Sequence, residues 1–224
     1  MAKARFITFE GGEGSGKSTQ ARLLAERLTA EGLDVLVTRE PGGSPFAEAV
    51  RELILGSKLP PHAPLSEALL FYAARADHLE AVIRPALAAG RWVLCDRFSD
   101  STRVYQGNAG HVASAAIDGL ERIVVAKTKP DLTVVIDVPV DVGLDRANRR
   151  RGATAEPGAD GAAAAADRYE AREQDFHERL RQGFLALARV EPQRCIVIDG
   201  ARPEAMVAAD VWAAVQARLK RKAG

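Results

Sequence analysis

Short runs of β-branched and other apolar residues recur at Arg5 to Phe9, Asp34 to Thr38, Trp92 to Cys95, Leu132 to Asp137 and Cys195 to Ile198. Longer segments with apolar positions at helical spacing separate them. Five strands alternating with helices predict an α/β fold whose parallel sheet is covered on both faces. Ala21, Leu24 and Leu28 form one helical stripe after the first strand. The C-terminal helix opens near Pro203 and carries Val207, Val211, Val215 and Leu219 along one stripe, most simply as core packing. The segment Leu65 to Ala89 also reads as helix. Pro85 is expected to kink it or split off its last turn, because proline lacks an N–H and clashes with the preceding turn. Gly152 to Asp167, rich in Gly and Ala around Pro157, breaks the pattern and predicts a mobile loop.

A chain of 224 residues suits one α/β domain, alone or carrying a lid, and is long enough to bury a sizeable core. A net charge of +1 speaks against nucleic acid as the main partner, because contact with many phosphates normally requires a basic excess. A small phosphorylated substrate remains compatible with it. Cys95 and Cys195 each lie inside an apolar run and read as buried thiols, and the four histidines lack metal-ligand spacing. Met1 leads straight into a strand-like segment, and no apolar run has the length of a membrane span, so the expectation is a cytoplasmic protein with no membrane partner.

Gly11-Gly12-Glu13-Gly14-Ser15-Gly16-Lys17-Ser18, followed by Thr19, matches G-x-x-x-x-G-K-[ST] between a strand and a helix. That context is what the motif's chemistry needs. Glycines let the backbone N–H groups converge on phosphate oxygens, and the helix N-terminus adds positive potential. Lys17 is placed for the β- and γ-phosphates, and the Ser18 hydroxyl for the Mg²⁺ that bridges them. No Asn-Lys-x-Asp guanine-reading motif follows, which favours ATP as the nucleotide.

Further along stand Arg39-Glu40-Pro41-Gly42-Gly43, Leu70-Phe71-Tyr72-Ala73-Ala74-Arg75, Asp96-Arg97-Phe98 with Ser101, and Tyr105-Gln106-Gly107. In this order after a P-loop they resemble bacterial thymidylate kinases, over essentially the whole chain. The resemblance implies a P-loop NTPase fold with a five-stranded parallel sheet flanked by helices. It also implies one kinase domain over 1–224 with a mobile lid at about 146–170, a homodimer, and Mg²⁺-assisted transfer of the γ-phosphoryl group of ATP to dTMP.

Residue roles follow from the same resemblance. Phe71 is expected to stack on thymine and Arg75 to donate to the base edge; Tyr105 and Gln106 line the thymidine pocket. Arg39, Glu40 and Pro41 belong to a loop closing over the acceptor, and Ser101 joins the substrate-binding set. Glu13 is directed at the sugar 3′-hydroxyl, Asp96 helps Ser18 hold Mg²⁺, and Arg97 faces the phosphates. Physical reading is compatible: Asp96 ends a parallel strand, where α/β folds place ligand chemistry, and Phe71 and Arg75 are four apart on one helix face. In an unknown protein the same pair would read as a core aromatic beside a solvated arginine.

The P-loop contains no arginine between Gly11 and Gly16, whereas Arg146, Arg149, Arg150 and Arg151 precede the Gly/Ala stretch and Arg168 follows it. This resembles the lid-arginine pattern, with Arg150 and Arg168 as the catalytic candidates beside Lys17 and Arg97. Asp167-Arg168-Tyr169-Glu170 resembles a lid-end motif and opens a helix with Tyr169, Phe176, Leu180, Phe184 and Leu187 in one stripe. Two features depart from the family: the alanine run Ala162 to Ala166, and Asn108-Ala109-Gly110-His111 where a Gly-Arg pair is frequent. The competing readings are a kinase for another nucleotide or nucleoside and a P-loop regulatory ATPase acting through a macromolecular partner.

Overall fold

The computed structural model describes residues 3–56, 60–154 and 174–220. Five strands, β1 (Phe6–Glu10), β2 (Val35–Arg39), β3 (Trp92–Asp96), β4 (Leu132–Asp137) and β5 (Cys195–Asp199), form one sheet in the order β2-β3-β1-β4-β5. Every pairing is parallel. Pleating sends Ile7 and Phe9 into one core, with Leu94, Val134 and Ile136, against α1 (Lys17–Ala30) and α9 (Glu204–Val215). All the residues of the two expected stripes are buried there, Leu219 from the π-helical turn Gln216–Lys220 that follows α9.

The opposite face takes α2 (Pro45–Leu55), α3 (Pro64–His78), α6 (Ser114–Val124) and α8 (Gln174–Val190). Phe176, Leu180 and Phe184 of α8 pack with Val135 and Cys195, while Phe6, Val93 and Cys95 meet Tyr72, Leu79 and Ile83. Both cysteines are free and buried.

After α3 the helix widens into a π-helical turn, Leu79–Ile83, and resumes as α4 (Arg84–Ala88) with Pro85 in its first turn. The expected break is therefore a local widening just before the proline. A short α5 (Ser99–Thr102) passes into a second π-helical segment, Arg103–Ala109, which carries Tyr105 and Gln106. Helix α7 (Val140–Thr154) runs through Gly152, so the beginning of the expected loop is helical. Arg168, the lid-end motif and the alanine run lie outside the described residues.

Candidate active site

The turn after β1 is shaped by glycine. Gly14 has φ +64°, and a Cβ there would lie 1.9 Å from the Gly143 carbonyl of α7, so no side chain fits. Lys17 folds back over this loop, donating to Gly12 O at 2.7 Å and Ser15 Oγ at 3.3 Å. Its neighbours at the carboxyl end of the sheet come from β3: the Ser18 hydroxyl donates to Asp96 Oδ2, and Asp96 Oδ1 is buried without a hydrogen-bond partner. Among the described residues no cluster of three His, Cys, Asp or Glu could hold a metal alone. An oxygen pair with one unsatisfied carboxylate oxygen fits a hard cation whose other ligands are phosphate and water.

Arg97 sits at φ +66°, a strained position for a non-glycine residue. Its guanidinium donates to Glu13 Oε1 at 2.6 Å, Gly11 O at 3.2 Å and Ser101 Oγ at 3.3 Å. The Tyr105 hydroxyl donates to the same Glu13 oxygen at 2.8 Å. Burial by itself would raise the Glu13 carboxyl, but the charges of Arg97 and Lys17, with the Tyr105 hydroxyl, hold it down to about 2. Glu13 is thus a fixed anion with two donors on one oxygen.

Next to Glu13 opens a cavity of about 250 Å³, lined by Glu40, Pro41, Arg51, Phe71, Arg75, Arg97, Ser101, Tyr105, Gln106 and Arg150, among others. Arg75 is buried in its wall. Its Nε donates to Glu40 Oε2 at 2.7 Å, and Nη2 donates to Phe98 O and Thr102 Oγ1, each at 3.1 Å. Nη1 is buried with no hydrogen-bond partner. Glu40 is held from its other oxygen by His78 Nδ1 at 3.0 Å, so it orients Arg75 from behind.

Arg39 lies outside the cavity lining and pairs with Glu48 at 3.0 Å. Arg39 ends β2, and Glu40, just past the strand end, turns inward to Arg75. Four residues escaped the sequence reading. Arg51 reaches the cavity from α2, donating to Pro41 O at 2.8 Å. Its helix was signalled by Ser44-Pro45, a capping serine followed by an N-terminal proline, with Ala47, Val50 and Ile54 behind them. Glu10, ending β1, accepts from Phe98 N at 2.8 Å and Ser101 Oγ at 2.6 Å and so pins the turn that carries Arg97. Glu67 and Thr102 hold Gln106 and Arg75 respectively.

A second cleft, on the other side of the P-loop, is lined by Gly14, Ser15, Gly16, Thr19, Arg146, Arg150 and Arg202. Arg146 is committed to Gly200 O at 2.8 Å, and Arg149 pairs with Asp145 at the surface. Arg150 borders both this cleft and the cavity.

Comparison with known proteins places the chain in a family. The thymidylate kinase family profile matches residues 9–211. The chain is 54% identical to a thymidylate kinase of Rhodopseudomonas palustris (strain BisB18) over 220 residues, covering 97% of this chain and 90% of that protein. It is also 54% identical to a thymidylate kinase of Caulobacter vibrioides over 199 residues, 89% of each chain. The crystal structure of the Ehrlichia chaffeensis thymidylate kinase superposes with a TM-score of 0.72 at 34% identity, covering 95% of this chain and 99% of that one. With the match spanning nearly the whole chain, the P-loop, the Asp96-Arg97 turn and the Phe71/Arg75 wall included, the chain belongs to the thymidylate kinase family.

Proposed function

We propose that the protein transfers the γ-phosphoryl group of ATP to dTMP, giving dTDP and ADP, with residues 1–224 acting as one kinase unit in the cytoplasm. The observation that carries this reading is the Arg75 Nη1 donor, buried and unpaired in the wall of a cavity beside the P-loop. A buried unpaired donor is costly and calls for an acceptor from a ligand; thymine offers the 4-carbonyl. Phe71 supplies a stacking face, and Glu13, ionised across the physiological range, accepts from the 3′-hydroxyl. Tyr105, held against Glu13 and wedged by Phe176 and Phe184, crowds the 2′ side.

Arg97 and Arg51 face the acceptor phosphate, which is already ionised near neutral pH, so the transfer needs no general base on the protein. Its residues position the reactants and stabilise charge. The family takes ATP as donor, and the loop Gly11 to Thr19 holds its phosphates. Ser18 and Asp96 would hold Mg²⁺ together with phosphate oxygens, and the ion would supply charge neutralisation on the transferring group.

A panel of dTMP, dUMP, dCMP and UMP in a coupled ADP assay tests the acceptor. A site built around hydrogen bonds rejects a mismatched edge by about 10⁴-fold, so dCMP falls by that order in kcat/KM, whereas dUMP loses only the methyl contact, about 1–3 kcal/mol. Arg75→Lys keeps a cation against Glu40 but loses the fork, and is expected to narrow the dTMP/dCMP ratio. Equal losses for all acceptors would show that Arg75 does not read the base.

The homodimer rests on an exposed apolar face: Phe46 and Leu53 of α2 and Leu65 and Leu69 of α3 are about half exposed. Light scattering at micromolar concentration is expected to report twice the 24.0 kDa chain mass; a monomer at all concentrations removes the dimer. Among the described residues no helix is long and apolar enough to cross a membrane.

A further inference from the structure

Gln106 is buried on the π-helical segment Arg103–Ala109, and its amide nitrogen donates to Glu67 Oε2 at 3.0 Å. Glu67 lies in the first turn of α3, one turn before Phe71, and is itself buried. Its other oxygen stands 3.4 Å from His62 Nε2. A carboxylate offers acceptors only, so the amide that faces it must present its NH₂ and turn its carbonyl away. Without such a partner the two ends of a glutamine amide exchange by a half-turn about the last side-chain bond.

Gln106 also lines the acceptor cavity, together with Phe71 and Arg75. The wall therefore combines a donor, Arg75 Nη1, with an amide whose carbonyl side is directed away from Glu67. The edge of thymine presents an acceptor, O4, beside a donor, N3–H. Cytosine presents the reverse, a 4-amino donor beside an N3 acceptor. A flipped Gln106 would suit cytosine at N3, but would set its own carbonyl against a buried carboxylate.

We infer that Glu67 is a specificity-determining positioning residue: it fixes the Gln106 amide so that the cavity receives its carbonyl oxygen, and so selects a pyrimidine that is protonated at N3. Glu67 acts through Gln106 and does not touch the substrate. The inference rests on the thymidylate reading of the cavity.

Glu67→Gln is nearly isosteric and lets Gln106 pair in either orientation. With it, kcat/KM for dTMP is expected to fall about tenfold, that for dCMP to rise, and their ratio to narrow by about 10²-fold, the scale of one buried polar group left unpaired. The dTMP loss appears in KM, with kcat held within about twofold, since no group facing the phosphates has changed. In a Gln106→Leu background, adding Glu67→Gln leaves the ratio where it is, because the coupling runs through one amide. Glu67→Asp, still an acceptor-only partner, keeps the dTMP preference and provides the reading if Glu67→Gln does not fold. A Glu67→Gln enzyme with the wild-type ratio, equal losses for both acceptors, or an effect that persists without Gln106 overturns the role of Glu67 alone. A wild type that uses dCMP as readily as dTMP overturns the thymidylate reading with it.

Discussion

Lys17→Ala is expected to lower turnover by about 10³-fold or more, the upper range for one preorganised donor at a site of developing charge. Stability should change by only about 1 kcal/mol, or about 2–4 °C in Tm for a chain of this size. The asymmetry follows from the contacts: Lys17 touches only the loop it belongs to, at Gly12 O and Ser15 Oγ, and contributes nothing to the α1 stripe. Its protonation reports the same role. Burial, then the charge of Arg97, push Lys17 down to about 8 against the opposing pull of Glu13, Asp96 and Glu10. Phosphates arriving beside it raise it again, so ATP binding above pH 8 takes up a proton, and affinity falls by up to about tenfold per pH unit until the bound-state value is reached. Calorimetry in buffers of different ionisation enthalpy, at about pH 9, should detect this uptake in the wild type and not in Lys17→Ala. Wild-type turnover in the variant would falsify the P-loop assignment.

The strands were legible because a parallel sheet covered on both faces demands continuous apolar runs, and Leu132–Asp137 is buried nearly to its end for that reason. The helix after the P-loop and the C-terminal helix were equally legible, since each buries one stripe at 3.6-residue spacing. The π-helical turns were not: one extra residue per turn leaves no periodicity of its own, and Leu79–Ile83 shows only through the Pro85 that follows it. At Gly152 composition misled. The preceding run Val140 to Arg151 contains good helix formers, and one glycine costs only about 1 kcal/mol, so the helix runs on to Thr154.

The site divides along the same line. Lys17, Ser18 and Asp96 could be read from sequence because a local turn or a strand end places them. Glu10, Glu67 and Arg51 could not, because their value lies in partners remote along the chain: Ser101 for Glu10, Gln106 for Glu67, the Pro41 carbonyl for Arg51. Nothing in the local sequence distinguishes such a carboxylate from a solvated one. Within the Arg39-Glu40 motif the two side chains part company, Glu40 turning to Arg75 and Arg39 to Glu48.

Arg150→Ala is expected to lower kcat by about 10³ to 10⁵, the range for an arginine that stabilises a transferring phosphoryl group. The P-loop supplies no arginine of its own, so the cation must come from elsewhere. Of the α7 arginines whose side chains are described, Arg146 lines only the cleft beside the P-loop and Arg149 lines neither space. Arg150 alone among them borders both the cavity beside Glu13 and the cleft beside the P-loop, the two sides between which the proposed transfer would carry the γ-phosphoryl group. A residue in that position gains most contact when the group is midway, so its loss should appear in kcat and leave KM for dTMP within a few-fold. Arg150→Lys keeps the charge but not the planar fork and should recover only part of the rate. Single-turnover measurement separates chemistry from product release and shows which step has slowed. If Arg150→Ala turns over within about tenfold of wild type, less than the 10³ assigned to such an arginine, the role passes to Arg168 at the far margin of the lid. If KM rises while kcat holds, Arg150 binds the ground state and the transition state alike, and the lid-arginine mechanism at this position is wrong.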